Sequence, residues 1–168
     1  ITSFAELALA PQAADVAHPA FSKLFIETEC LPGSHALLAR RRQRDPADRE
    51  TWAAHLIVVD DKAVGSCEFE TDRAQFLGRG GNAHRPRAVA DGRSLSGAHG
   101  AVVDPVFVLR TRVRVAPGET AHVAFWTMIG SSRQEVLEMI ARAQPLPALP
   151  AEMAEPVVEI LACSTTVS

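Results

Sequence analysis

Carboxylates, guanidinium groups and apolar residues crowd together in Glu-Phe-Glu-Thr-Asp-Arg-Ala-Gln-Phe-Leu-Gly-Arg-Gly, residues 68–80. A β-type run ends in acidic residues. Asp72 and Arg73 follow, then the apolar pair Phe76 and Leu77, then a Gly-Arg-Gly turn. Polar, charged and aromatic groups concentrated at a strand end suit a binding site or a docking edge. Arg73 and Arg79 bring planar donors and Asp72 an acceptor. That set suits sugar hydroxyls, and it suits the pinning of a loop equally well.

Other chemistry-bearing patterns are weaker. Glu27, Glu29, Glu68, Glu70 and Asp72 include pairs two apart on one strand face, which could supply the two carboxylates of glycoside cleavage. Like charges at that spacing on an exposed face are ordinarily solvated, and that reading outweighs an enzyme site. Gly78 to Ala83 formally matches GxGxxG/A, but His84-Arg85-Pro86 is a poor helix start, so the glycines are read as a turn with positive φ. Gly92-Arg93-Ser94-Leu95-Ser96 misses the nucleophile elbow, because Ser96 stands where its second glycine belongs. His18, His35, His55, His84, His99 and His122 show neither HxH nor HExxH spacing. They are read as ordinary core or surface histidines, and no metal site or cofactor is expected. Trp52 and Trp126 both sit in strand-like runs and are read as core.

The elements that must carry these groups are mostly strands. Phe4–Leu9, Lys23–Glu29, Leu37–Arg42, Trp52–Val59, Val64–Phe69, Val106–Val115 and Thr120–Ile129 read as β-type runs. Pro32-Gly33-Ser34 and Asp45-Pro46-Ala47-Asp48 are turn chemistry. Asp60-Asp61-Lys62 predicts a hairpin between the runs at 52–59 and 64–69, and Ala116-Pro117-Gly118-Glu119 predicts another between 106–115 and 120–129. Arg110, Arg112 and Arg114 fall on one face of their run. Residues 78–100, rich in Gly, Arg, His and Ser, read as one long irregular loop. Ser132 and Glu135 form a capping box ahead of Val136, Leu137, Ile140 and Ala143 at helical spacing, which predicts a helix over 132–143. Pro145 ends it, and a Pro-rich tail follows over 144–168. The sum is a mainly β protein, an antiparallel β-sandwich of roughly seven strands with one C-terminal helix. Residues 1–143 form that domain.

Bulk properties narrow the function classes. The 168 residues are 47% hydrophobic and 22% charged, as befits one globular domain with a tail. A net charge of −3 makes no electrostatic case for nucleic acid. The basic run Arg40-Arg41-Arg42-Gln43-Arg44 is met at once by Asp45, Asp48 and Glu50, and reads as a solvated strand end. Cys30, Cys67 and Cys163 are odd in number and widely spaced, so reduced thiols in a cytoplasmic setting are expected. No apolar run reaches about 18 residues, so no membrane insertion is expected. The chain opens on Ile1 without a leader pattern, and a fragment of something longer is expected.

Several motifs in sequence resemble one family. Residues 68–80 closely resemble the "ETDRxxFLGRG" signature of the β-sandwich domain in cyclic β-1,2-glucan synthases, which is related to the cellobiose and chitobiose phosphorylases of glycoside hydrolase family 94. Residues 18–29, HPAFSKLFIETE, resemble that family's "HPAFSKLFVETE". Trp52-Ala53-Ala54-His55 matches "WAAH", and Val103 to Arg110 is similar to "LDPIFSLR". Phe125-Trp126-Thr127 with Ser132-Arg133-Gln134-Glu135 is similar to "FWT…SREE". The likeness runs over about residues 2–143.

The resemblance implies a β-supersandwich like that of galactose mutarotase, truncated on its N-terminal side. It implies a neighbouring α/α-barrel that carries the catalytic Asp and the phosphate-binding residues, so that this chain alone is not an enzyme. The parent is expected at the inner membrane. Arg73, Phe76 and Arg79, with Asp72, are the implied contacts to glucan or oligosaccharide at the edge facing the barrel. The rival expectation is a purely structural or oligomerisation module, self-paired as a homodimer through exposed strand edges.

Overall fold

A computed structural model describes residues 1–43 and 48–144. Apart from Asp48 and Gln144, the turn expected over 45–48 and the Pro-rich tail expected over 144–168 lie outside the described residues. In chain order the elements are β1 (Thr2–Glu6), α1 (Gln12–Ala17), α2 (Pro19–Lys23), β2 (Ile26–Leu31), β3 (Ala36–Arg41), β4 (Trp52–Val59), β5 (Glu68–Asp72), α3 (Arg73–Leu77), α4 (Arg87–Ala90), β6 (Gly100–Ala101), β7 (Pro105–Arg110), β8 (Val123–Gly130) and α5 (Arg133–Ala143).

The strands form two antiparallel sheets. One has three strands in the order β1-β7-β5, and the other has five in the order β6-β2-β3-β4-β8. Their facing surfaces bury Ile26, Leu37, Ala39, Ala53, Ile57 and Val123 against Phe107 and Leu109. The outer faces are covered too. Val136 and Ile140 of α5 close over Ala36, Leu38, Ala54 and Leu56. Phe76 and Leu77 of α3, with Ala88 of α4, close over Val106 and Val108.

Four layers therefore stack as helix, sheet, sheet, helix. The central strands β3, β4 and β7 are buried on both faces, so the one-face alternation read over 106–115 does not hold within β7. Each Leu or Phe wholly withdrawn from water there contributes about 1.5–3 kcal/mol.

Local chemistry explains several boundaries. The β2–β3 hairpin turns at Gly33, with φ 83°, as Pro32-Gly33-Ser34 predicts. Helix α5 begins where the capping box places it. Ser132 Oγ accepts from the Glu135 N–H, and the Glu135 carboxylate accepts in return from Ser131, one residue earlier than the simplest box. Trp52 is buried, its Nε1 donating to Glu50 at 2.6 Å, and Trp126 packs on the α5 side of the larger sheet.

Both predicted hairpins at 60–62 and 116–119 are corrected. Strand β4 pairs with β3 and β8, whereas β5 pairs with β7 in the other sheet. The residues after Val59 and after Arg110 run side by side as crossovers between the sheets, joined by Val64 N–H to Arg112 O at 2.8 Å and Arg114 N–H to Lys62 O at 3.0 Å. Asp60 ties the crossing, accepting from the backbone N–H of Lys62 and of His122. A turn signal specifies a reversal of direction but not the partner. The partner is set by which pairing buries both faces of each strand.

Residues 78–100 are likewise not one irregular loop, since they contain α4 and the start of β6. Short helices replace expected coil or strand at α1, α2 and α3, and β1 ends at Glu6 instead of Leu9.

Candidate functional site

Strand β5 delivers the candidate residues to one end of the three-stranded sheet. Its pairing with β7 shifts register between Glu70 and Asp72, a bulge-like break that ends the strand. Asp72 then caps α3, its carboxylate accepting from the N–H of Ala74 at 2.8 Å and of Gln75 at 3.4 Å. Arg73 donates from Nε to Glu6 at 2.9 Å, lies 3.7 Å from Asp104, and gives its backbone N–H to the Asp104 carbonyl at 3.0 Å. Phe76 is 1% exposed and stacks on Phe4 with ring centroids 5.3 Å apart. The expectation of Phe76 as a sugar contact meets a ring with no open face; its burial against β1 and β7 serves packing.

Arg79 stands differently. It is exposed at the C-terminal end of α3 and lines two adjoining shallow clefts of about 310 and 390 Å³. The first cleft lies against Ala74 and Gln75 and the second against Gly80 to Asn82, while Arg87 and Asp91 border both. Gly78 makes the turn possible. Its φ is 75° and ψ 166°, a region that only glycine occupies at low cost, and a Cβ there would lie 2.6 Å from Arg87 Cδ. Gly81 is as confined, since a Cβ would meet the Leu77 carbonyl oxygen at 1.9 Å.

On β5, two residues before Asp72, stands Glu70, whose charge and spacing predict a solvated face. Glu70 is 1% exposed. One carboxylate oxygen accepts from the Thr71 and Asp72 N–H groups, each at 2.9 Å; the other accepts from Ser96 N–H and Oγ–H. Four donors satisfy a buried anion, and that satisfaction is what makes its burial affordable. Glu68 accepts from the Leu95 N–H at 2.9 Å and pairs with Arg110 and Arg112 at 3.5 and 3.4 Å. Both carboxylates thus hold the loop at 95–96, and the solvated reading of this pair is corrected. Glu27 pairs with Arg40 and Arg42, and Glu29 with Arg133. The Ser94–Ser96 stretch is loop, with Ser96 spent on Glu70.

The sequence pattern places Arg110 on one strand face with Arg112 and Arg114, yet it is 9% exposed and reaches beneath α4, donating to the Ala88 and Arg93 carbonyls. His55 is 4% exposed, between the rings of Phe107 and Phe125 at 5.8 and 5.9 Å. Its ring nitrogens meet Thr127 Oγ1 at 2.8 Å and Ser3 Oγ at 2.9 Å. Burial lowers its pKa from 6.5 to about 4, against a contrary pull from the Trp126 backbone. Burial raises the Cys67 thiol to about 11. Among the described residues no group of three or more His, Cys, Asp or Glu could hold a metal ion. None of their helices is long and apolar enough to cross a membrane.

Two packed antiparallel sheets with helices on their outer faces define a β-sandwich. The chain belongs to the family described as "Glycosyl hydrolase 94, supersandwich domain", which it matches over residues 1–145. It is also similar to the cyclic beta-(1,2)-glucan synthase NdvB of Rhizobium meliloti (strain 1021), with 37% identity over 142 residues. That alignment covers 84% of this chain and 5% of the synthase. The match is to a supersandwich domain; it includes no catalytic domain.

Proposed function

We propose that this domain is a non-catalytic, carbohydrate-associated part of a cyclic β-1,2-glucan synthase-like protein, bordering the cleft where a glucan is held. The observation that carries the reading is Arg79. It stands exposed on a glycine-built turn at the mouth of a polar cleft, inside the segment that resembles the synthase signature. A guanidinium there can donate to several sugar hydroxyls at once. Catalysis would belong to a neighbouring α/α-barrel, with Arg73 helping to hold the cleft wall. Free Cys30 and Cys67 fit a cytoplasmic location, with the parent protein at the inner membrane.

A second reading has its own support. Asp72 is occupied as a cap, Arg73 in ion pairs and Phe76 in packing, which is what a scaffold needs. In the pairing order β1, β5, β6 and β8 are edge strands, and a second copy could add to one of those edges.

Calorimetric titration with linear and cyclic β-1,2-glucans, using cellobiose and maltose as controls, separates the two readings. Selective binding that disappears in Arg79→Ala supports glucan contact. No heat at millimolar sugar from protein shown folded by circular dichroism refutes it and leaves the scaffold.

A further inference from the structure

We propose that the cleft between α3 and α4 binds a tetrahedral oxyanion of the phosphate or sulfate class, either free or carried on a saccharide. For the saccharide source this deepens the carbohydrate reading and rests on it; for the free anion it stands alone.

The charge balance of the cleft points there. Arg79, Arg85, Arg87 and Arg93 line it, and Asp91 is the one carboxylate among the described lining residues. Asp91 is approached by Arg87 and by Arg93 at 3.7 Å each, too far for a tight pair. Asp72 is spent as the α3 cap. Among the described residues, no ion pair or side-chain hydrogen bond engages the Arg79 or Arg85 guanidinium. Three uncompensated positive charges gather here in a chain whose net charge is −3. Neutral hydroxyls do not call for such an excess. An oxyanion does, because the planar fork of Arg matches two of its oxygens at once.

The arginines are also held on a prepared floor. The Arg87 stem crosses bare Gly78, where any side chain would displace it. Asn82 Oδ1 accepts from the His84 and Arg85 N–H groups at 3.0 Å each, which fixes the turn that presents Arg85. From below, Arg110 donates to the Ala88 carbonyl at 3.1 Å and the Arg93 carbonyl at 2.6 Å, anchoring α4 and the residues after it. Little backbone ordering is left for a ligand to induce.

The test titrates inorganic phosphate, inorganic sulfate, glucose 6-phosphate and glucose separately into the full 168-residue protein, following backbone amide and arginine Nε–H shifts by NMR. Saturable shifts at residues 78–93 are expected with the three anions and not with glucose. Raising sodium chloride from about 20 to about 200 mM should weaken them several-fold. The double variant Arg79→Ala/Arg85→Ala, whose residues are both exposed, should lose about tenfold in affinity while keeping its amide spectrum elsewhere. A control, Arg114→Ala/Arg142→Ala, removes the same charge away from the cleft and should bind as the parent does.

Tighter binding of glucose 6-phosphate than of phosphate supports the sugar-borne source, and equal binding supports the free anion. No saturable shift at tens of millimolar phosphate overturns the inference, as does an equal loss in the control variant. Neutral-glucan heat without phosphate binding removes this inference alone. Phosphate binding without glucan heat supports it and removes only the carbohydrate reading.

Discussion

Acidification forces a choice at His55: the ring takes a proton between two phenyl rings, or the sheets around it come apart. In the unfolded chain the imidazole protonates below its ordinary 6.5, whereas burial in the native state holds it neutral down to about 4. Between those values the unfolded state binds more protons, so stability is complete above 6.5 and falls as the pH drops toward 4. At 1.36 kcal/mol per unit the whole gap is worth about 3 kcal/mol. About 2.5 kcal/mol of that is gone by pH 4.5.

With urea slopes of about 1–3 kcal/mol/M for such domains, the unfolding midpoint should drop by about 0.8–2.5 M from this group alone. Carboxylates titrate in the same range, so the comparison is with His55→Gln. Its amide can bridge Ser3 and Thr127 hydroxyls and does not ionise. Urea unfolding of both proteins from pH 7.5 to 4 should give a stability difference that is flat at the upper end and bends below 6.5. Parallel curves, or a native His55 titrating near 6.5 by NMR, would refute the reasoning.

Two further substitutions probe the buried Glu70 carboxylate and the Gly78 turn. Glu70→Gln replaces an anion with four donors around it by an amide that must point its NH2 at donors; about 2–3 kcal/mol should be lost, read as a fall of about 5–10 °C in Tm with faster amide exchange at Ser96. Gly78→Ala should cost about 1–2 kcal/mol more than Gly80→Ala, because both have positive φ but only the former meets the Arg87 stem. Equal midpoints in urea for these two would show that Arg87 is not held there.

Legibility in the sequence followed the range of the interaction. Ser132 and Glu135 announce α5 because a cap is written within four residues. Pro32-Gly33 announces the β2–β3 turn for the same reason, and β4 announces itself as an apolar run with a β-branched end. Asp72 could have announced α3, since an acidic residue just ahead of a short apolar pair is a cap signal, but five residues are too few for helical periodicity to show. Phe76 looked available for a ligand because exposure is not a local property; β1, more than sixty residues earlier, brings Phe4 over it. Glu70 looked solvated because its four donors come partly from Ser96, across the loop it anchors.

By itself the sequence determined the class of this protein, a mainly β sandwich with a capped terminal helix, and the segment where its polar chemistry collects. Those follow from side-chain period and capping, which act over a few residues. Only the tertiary structure decided which strands pair, that Asp60 and Pro117-Gly118 lead into crossovers instead of hairpins, and that Arg79 stays open while Asp72 caps α3, Arg73 enters ion pairs and Phe76 is buried. Turn residues reverse the chain at little cost in either arrangement; the choice between them lies in the apolar area that distant strands bury together.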